Sequence, residues 1–328
     1  MIKLIDNTLT TLDRNLPSKE ELHLFAELLF KIGVDAVELS VKAFEQMGFL
    51  PENRKFILDI DFIDDIKQYP GFYRYVSRHE ASFDEMIYEL QLNDIREILR
   101  LRALRNCKEI RIVGLDDLIC NDSYEKIFGE IKQILPRSMI NFCPENTYHC
   151  ASALAVQWAA EFGGDITTSF AGCKNNAATE EVIMAMRLSV RYKVNRDLTI
   201  LPQLTRLYEK ITGKPIGNKK AIIGKNIFKV EAGIHADGMK KNPATYEAYD
   251  PRIVGGRTQL VIGKHSGTKA VIYKLEELGL PALNDSFIDL ILTNVKEICM
   301  TNNKSLSDTE FINMVKEVSR YEKRKIYC

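Results

Sequence analysis

Three segments at the start of the chain set the fold class: I2-K-L-I-D-N-T-L9, S18-K-E-E-L-H-L-F-A-E-L-L-F-K-I-G33 and A36-V-E-L39. The first and third are short apolar runs typical of buried strands. The second begins with the capping-box pair Ser18 and Glu21, carries an apolar stripe at helical spacing and ends at Gly33. A strand, a helix and a second strand in this order predict a β/α unit of a parallel sheet.

The same alternation continues along the chain. Further strands are predicted in five segments: 56–60, 72–76, 109–115, 139–143 and 166–170. An alanine-rich segment, 146–162, has a helical pattern. These are about seven strands in about 190 residues, whereas a complete (β/α)8 barrel needs roughly 250. We therefore expect an α/β, TIM-barrel-like (β/α)8 shell that is either compressed or short of one unit. An open doubly wound sheet is the alternative that the pattern alone allows.

The sequence pattern of the second half of the chain becomes less regular after Gly213. Helices are predicted over 180–192 and 201–213, and Pro215 follows the second one closely. Residues 214–264 are rich in Gly, Pro and Lys and indicate an irregular linker. Three helices are predicted to close the chain, over 267–278, 285–301 and 308–324. The predicted domains are thus a barrel (1–213), a linker or lid subdomain (214–264) and a C-terminal helical subdomain (265–328).

Composition excludes several classes of protein. Lys and Arg number 45, as do Asp and Glu, so the formal net charge is zero and nothing recommends a nucleic acid or an anionic membrane as partner. No apolar run has the length of a membrane span, and the N-terminus lacks the pattern of an export signal. The seven cysteines are scattered without C-x-x-C pairs, which favours reduced thiols. We expect a cytoplasmic protein.

Three motifs near residue 250 carry a resemblance to a known family. They are V230-E-A-G-I-H-A-D-G238, T245-Y-E-A-Y-D-P251 and L260-V-I-G-K-H-S-G267, hereafter the lid motifs. In this order, after A177-A-T-E-E-V-I-M-A-M186 and L201-P-Q-L-T-R-L-Y-E-K-I-T-G-K-P-I216, they resemble the homocitrate synthase and isopropylmalate synthase family, and most of all its nitrogen-fixation type of homocitrate synthase. The resemblance implies condensation of acetyl-CoA with a 2-oxo acid. It also implies that His235 and Tyr246 assist proton transfer in the barrel of a neighbouring subunit.

The barrel half departs from the family's pattern where that pattern binds metal. The family's D-T-T-L-R-D-G-E-Q appears as D6-N-T-L-T-T-L-D13, so that Thr10 replaces its Arg and Thr11 its metal-binding Asp. Its H-G-H-N-D appears as C143-P-E-N-T147, with Cys143 and Glu145 in place of two histidine ligands. Asn176 matches the family's last ligand, and Glu38 matches its second-strand, substrate-binding glutamate. We find no counterpart of its D-T-V-G strand.

These replacements weaken the chemistry that the family performs. A divalent cation polarises the keto acid that it chelates, and a fixed cation stabilises the enolate. Thr10 has no guanidinium and Thr11 offers only a neutral hydroxyl. We therefore expect the chain to hold the family's divalent metal (Mg, Mn or Zn) poorly. Cys143, Glu145 and His149 form a C-x-E-x3-H pattern that would suit zinc better than magnesium, but a buried, inert cysteine is the preferred interpretation.

Three hypotheses follow. The first is a degenerate, omega-type subunit of a homocitrate synthase-like acyltransferase, inactive alone. In a homo- or hetero-oligomer it would lend His235 and Tyr246 to an intact barrel that condenses acetyl-CoA with 2-oxoglutarate. The second is a non-catalytic paralogue that regulates such a synthase. The third is an autonomous enzyme of changed chemistry built on Cys143 and Glu145. A phosphate-binding role for G263-K-H-S-G267 is less favoured than a helix-entry turn, because the Walker spacing is absent.

Overall fold

The computed structural model describes residues 2–79, 85–120 and 124–326. It groups the chain into two compact units, residues 1–224 (unit 1) and residues 225–328 (unit 2). The finer division of the chain at residues 213 and 264 stays a prediction. Within the described ranges, none of the helices combines the length and the apolar character that a membrane crossing requires.

Unit 1 contains a closed barrel of eight parallel strands, each paired with the next along the chain, and the last paired with the first. The strands are Leu4–Asp6 (β1), Ala36–Ser40 (β2), Phe56–Asp59 (β3), Arg74–Ser77 (β4), Met86–Leu92 (β5), Glu109–Gly114 (β6), Met139–Pro144 (β7) and Asp165–Thr168 (β8). The TIM-barrel-like fold is confirmed, and of the two variants expected, the complete but compressed barrel is correct.

The helices of unit 1 follow the strands, and all except the four-residue helix Asp65–Gln68 bury apolar side chains. They are Lys19–Ile32 (α1), Val41–Met47 (α2), Asp65–Gln68 (α3), Tyr124–Ile134 (α4), Ala151–Phe162 (α5), Thr179–Val190 (α6) and Leu201–Thr212 (α7). Both side-chain bonds of the expected capping box between Ser18 and Glu21 are present, and Gly33 ends α1 with φ 116°. An aromatic cluster of Phe128, Phe142 and Trp158 fills the space where α4 and α5 meet β7.

Short connections explain the compression. α3 has only four residues, and residues 78–85 alone join β4 to β5. The connection from β5 to β6 carries a 3-10 helix, Ile95–Leu104, instead of an α-helix. Crossovers in parallel sheets usually require a dozen residues or more, so the eight-residue connection between β4 and β5 is unusually short.

The structure corrects three details of the sequence interpretation. The strand β5 was missed, so the strand expected as the fifth is the sixth. The first strand ends at Asp6 and not at Leu9, because Thr8–Thr11 form a 3-10 turn. The helix expected from residue 146 begins at Ala151, since the Asn146 side chain accepts from the Ala151 backbone N–H at 3.0 Å.

The barrel interior changes from apolar to charged along the strands. Buried residues of five neighbouring strands form one apolar cluster: Ile5, Ala36, Ile57, Val76 and Ile87. Residues two apart on a strand face the same side, so Glu38, Asp59 and Glu89 continue this interior face toward the C-terminal ends of their strands. The C-terminal half of the barrel interior is therefore lined by carboxyl groups.

Unit 2 has its own core. It contains a two-stranded parallel sheet, Lys229–Val230 (β9) with Gln259–Leu260 (β10), and four helices. The helices are Gly233–Lys241 (α8), Thr268–Glu277 (α9), Asp285–Asn302 (α10) and Asp308–Ile326 (α11). The bounds of the last three helices agree with the predicted bounds within two residues at each end. Ser307 with Glu310 forms the expected cap of α11. The segment expected to be an irregular linker contains α8, which was not predicted.

Candidate functional site

The barrel brings together the three divergent segments that the sequence places far apart. Residues 8–11 follow β1, residue 145 follows β7 and residues 170–176 follow β8, so all three lie at the C-terminal ends of strands. Glu145 and Asn176 form an antiparallel bridge, and the Lys174 ammonium donates to the Thr10 hydroxyl at 3.0 Å. This mouth of the barrel is where active sites of such folds lie.

The two threonines at the first family position are turned toward their own backbone. The Thr10 hydroxyl donates to the carbonyl of Asn7 at 2.9 Å, and the Thr11 hydroxyl donates to the carbonyl of Thr8 at 2.7 Å. These bonds complete the 3-10 turn after β1. Neither threonine supplies a charge at this position, and the nearest cation is the Lys174 ammonium, which comes from a different loop.

Cys143 lies inside the barrel and is 1% exposed. Burial raises the pKa of its thiol to about 12, although the nearby Arg111 guanidinium lowers it in part. The thiol is therefore protonated at neutral pH, and a protonated thiol neither ligates a metal nor attacks an electrophile. The structure supports the interpretation of Cys143 as a buried, unreactive cysteine.

The other two positions of the metal pattern have different partners. A Glu145 carboxylate oxygen accepts from the Gln91 amide at 3.2 Å, and the buried Asn176 side chain donates to the Ser169 hydroxyl at 3.2 Å. His149, which follows in a turn, has φ 59° and is exposed. Between residues 2 and 326, leaving aside 80–84 and 121–123, no group of three His, Cys, Asp or Glu side chains is arranged to hold a metal. The divalent metal that the resemblance implies does not fit this donor set.

Glu38 is held by an ion pair that the sequence did not reveal. Its carboxylate lies 2.6 Å from the guanidinium of Arg111 on β6, and both side chains are almost fully buried. The same guanidinium lies 3.2 Å from Glu89 on β5. Because Glu38 is already paired with a cation, it is poorly placed to bind a substrate's cationic or hydroxyl group, and its predicted substrate role stays a prediction.

The charged groups around Arg111 shift one another's pKa values. Burial alone would raise the pKa of Glu89, but the guanidinium groups of Arg111 and Arg78 hold it below its usual range. For Asp59 the balance is opposite: burial, followed by the charges of Glu38 and Glu89, raises its pKa to about 7. Burial lowers the pKa of Arg111, whereas the charges of Glu38 and Glu89 raise it. The net result is a pKa above the ordinary value of arginine. The sequence pattern did not predict this cluster, because it predicted no strand at β5 and placed Arg111 within a buried strand.

The second group of predicted site residues lies in unit 2. His235 is on the exposed side of α8, and Tyr246 follows the short 3-10 helix Pro243–Thr245. The ring centroids of His235 and Tyr246 are 5.5 Å apart with an interplanar angle of 48°. Tyr246 is 47% exposed and the preceding Ile234 is 75% exposed. The structure therefore places both residues, predicted from one motif series, side by side on a surface.

Two carboxylates hold the elements that carry this pair. Asp237 on α8 accepts from the Tyr273 hydroxyl at 2.6 Å and from the ammonium of Lys269 at 3.1 Å, both on α9. Glu231 accepts from the backbone N–H of His265 at 2.7 Å. The segment G263-K-H-S-G267 packs on Glu231 and ends at Gly267, the N-cap of α9. The helix-entry interpretation of this segment agrees with these contacts.

Comparisons with known proteins connect both units to one group of enzymes. A family model described as homocitrate synthase post-HMGL domain-like matches residues 222–303. The chain is 30% identical to the homocitrate synthase omega subunit of Clostridium pasteurianum, over 98% of this chain and 97% of the relative. It is 31% identical to 2-isopropylmalate synthase 2 of Caldanaerobacter subterraneus subsp. tengcongensis, over 87% of this chain and 74% of the relative.

Among solved structures, hydroxymethylglutaryl-CoA lyase from Pseudomonas aeruginosa superimposes with a TM-score of 0.52 at 14% identity. The match covers 66% of this chain and 94% of the lyase. At this identity the likeness concerns the fold alone, and it agrees with the closed eight-stranded barrel.

Proposed function

Since the chain belongs to the homocitrate synthase and isopropylmalate synthase family, we propose that it is an omega-type subunit of a homocitrate synthase-like acyltransferase. In this proposal it is inactive alone and presents His235 and Tyr246 to the barrel of a different, partner chain. The complex condenses acetyl-CoA with a 2-oxo acid, for which 2-oxoglutarate is the first choice because the relative from Clostridium pasteurianum is a homocitrate synthase subunit.

The single observation that carries the proposal is the exposed pair of His235 and Tyr246. An imidazole and a phenol at 5.5 Å between ring centroids are able to accept and donate protons to one bound molecule. Both are exposed, whereas Asp237, two residues after His235, is tied to α9. A pair of proton-transfer groups on a supported surface element is suited to complete a site in another chain.

The barrel residues of this chain also support the proposal that the condensation takes place in the barrel of a partner chain. Its thiol at position 143 is protonated, and the two threonines at positions 10 and 11 donate to backbone carbonyls. Condensation requires a proton to leave the thioester methyl group while the keto oxygen gains negative charge, and both demands call for fixed charges. A partner chain with an intact metal site would supply them.

In the assembled site, His235 and Tyr246 would act at the proton-transfer steps. One of the two takes up or relays the proton from the methyl carbon as the new carbon–carbon bond forms, and the other hydrogen-bonds the oxygen of the former keto group. General acid–base groups of this kind contribute roughly 100- to 10,000-fold.

The test uses the full chain, alone and mixed with a homocitrate synthase subunit whose barrel keeps T-L-R-D-G and H-x-H. We expect no condensation of acetyl-CoA with 2-oxoglutarate by the chain alone, even with added magnesium or manganese. In the mixed complex His235→Ala should lower kcat at least about 100-fold. His149→Asn is the matched control: it removes an exposed imidazole of the barrel, and Asn tolerates the positive φ of 59° at that position.

The rival is a non-catalytic paralogue that regulates a synthase, and the ion-paired interior around Arg111 is the observation that favours it. Under that reading His235→Ala leaves turnover of the mixed complex unchanged, while omission of the chain still alters it. Robust activity of the isolated chain would refute both proposals.

A further inference from the structure

The ion pair between Arg111 and Glu38 spans the interior of the barrel. β2 and β6 are separated by three strands on either side of the closed eight-stranded ring, so they lie opposite each other. An ion pair of 2.6 Å between Glu38 on β2 and Arg111 on β6 must therefore cross the interior. The long side chain of Arg111 reaches from one wall of the barrel to the other.

This guanidinium is the charge that compensates the carboxylates buried around it. Glu38 is 1% exposed at its side chain and Glu89 is 11% exposed, while Arg111 is fully buried. Two buried carboxylates without a cation would be costly to desolvate. Arg78 also pairs with Glu89 at 2.8 Å, but its side chain is 68% exposed and is therefore screened by water.

Charge, more than hydrogen bonding, holds Arg111 in this position. Its Nε has no hydrogen-bond partner among the described residues, and neither does Nδ2 of the adjacent Asn141. In register, Arg111 faces Asn141 on β7, and Cys143 lies two residues further along the same strand face. Arg111 thus lies next to the strand that carries Cys143, one of the positions at which the resemblance places a metal ligand.

We propose that Arg111 is a built-in cation that takes the place of a divalent metal in the C-terminal half of this barrel. The barrel keeps its carboxyl-lined interior because a guanidinium neutralises Glu38 and Glu89, and its stability does not depend on metal. This inference is independent of the proposed function, since it concerns only the interior of unit 1.

A second consequence follows from the positions of the acid groups. Without the guanidinium, Glu38, Glu89 and Asp59 would face one space in which only the exposed Arg78, on Glu89, and the exposed Lys174, near Asp59, supply positive charge. Carboxylate oxygens are the ligands that manganese and magnesium prefer. Removal of Arg111 should therefore create a cation site that the native chain lacks.

The experiment compares three full-length chains by thermal unfolding: the wild type, Arg111→Met and the triple variant Arg111→Met, Glu38→Gln, Glu89→Gln. Each is measured in EDTA and in excess MnCl2. We expect the wild-type Tm to be the same in both. Arg111→Met should lower Tm in EDTA by roughly 5–15 °C or prevent folding, because it leaves the buried Glu38 unpaired and Glu89 with only the exposed Arg78. The triple variant should recover at least half of the loss.

Manganese provides the second readout. It should raise the Tm of Arg111→Met, or rescue its folding, and leave the triple variant unchanged. The proposal is overturned if the wild type loses stability in EDTA, if Arg111→Met is as stable as the wild type, or if the triple variant is no better than Arg111→Met. Absence of a manganese effect on Arg111→Met, or an equal effect on the triple variant, overturns the consequence for cation binding.

Discussion

Tyr246 packs directly on Gly238: a Cβ atom at position 238 would overlap the phenol ring. The last glycine of the first lid motif therefore sets the position of the tyrosine of the second. Gly238→Ala should displace Tyr246 from His235. We expect kcat of the mixed complex to fall by roughly 10-fold or more, in line with a displaced catalytic group, while the far-UV circular dichroism stays unchanged.

The control for this variant is Gly129→Ala. A Cβ at position 129 meets open space on the helix α4, so this change should leave activity unchanged and stabilise the chain slightly. Equal activity of Gly238→Ala and the wild type would show that the placement of Tyr246 has no bearing on turnover.

We expect Asp237 to hold the helix α8 in place through its hydrogen bonds and not to take part in proton transfer itself. Hydrogen bonds from Tyr273, Lys241 and Lys269 hold the pKa of its carboxyl below its usual range. Asp237→Asn removes the charge that these groups share, and we expect faster amide hydrogen exchange in α8 together with a lower kcat of the mixed complex.

Asp289→Asn, on the exposed face of α10, is the matched control and should change neither quantity. If Asp237→Asn accelerates exchange but leaves turnover intact, α8 does not need this anchor in order to function.

The sequence predicted elements that depend on local pattern and missed those that depend on distant contacts. The helix with Ser18 and Glu21 was found because its cap lies within four residues. β5 was missed because M86-I-Y-E-L-Q-L92 carries Glu89 on its interior face, where a sequence pattern leads one to expect an apolar residue. Only the closed barrel brings Arg111 to Glu89 and Glu38.

The site residues themselves could be predicted from sequence motifs, but their contacts in the folded chain could not. His235 and Tyr246 were found from their motifs and lie side by side. The changed residues at positions 10, 11, 143 and 145 were recognised by comparison with a motif. Their actual partners, such as Lys174 for Thr10 and Gln91 for Glu145, come from other loops and strands. No local pattern reports such contacts.

Glu180 should make stability depend on pH near neutrality. Burial raises the pKa of this carboxyl to about 7 from its ordinary value of 4.5, although Lys220 lowers it in part. An acid whose pKa rises on folding stabilises the folded state only while it is protonated. Its contribution is full below 4.5 and is lost as the pH rises through about 7.

The measurement is urea unfolding of the wild type and Glu180→Gln at about pH 5 and about pH 8. The glutamine can still accept the backbone hydrogen bond that Ala171 donates at 2.9 Å. We expect the wild type to lose about 2 to 3 kcal/mol more than the variant over this interval. Glu52→Gln, at an exposed position, should retain the wild-type dependence. Parallel curves for Glu180→Gln and the wild type would contradict the assignment.

The cysteines offer a direct test of an autonomous enzyme built on Cys143. Burial raises the pKa of Cys143 to about 12, so only about one thiol in 10,000 is ionised near pH 8. Cys120 is exposed, whereas Cys143 and Cys299 are buried. Brief alkylation of the native chain with iodoacetamide should modify Cys120 and leave Cys143 intact, as read by peptide mass mapping. Alkylation in denaturant should modify all three and serves as the control. Rapid modification of Cys143 in the folded chain would mean that the thiol is accessible and ionised, and would restore the case for chemistry at that position.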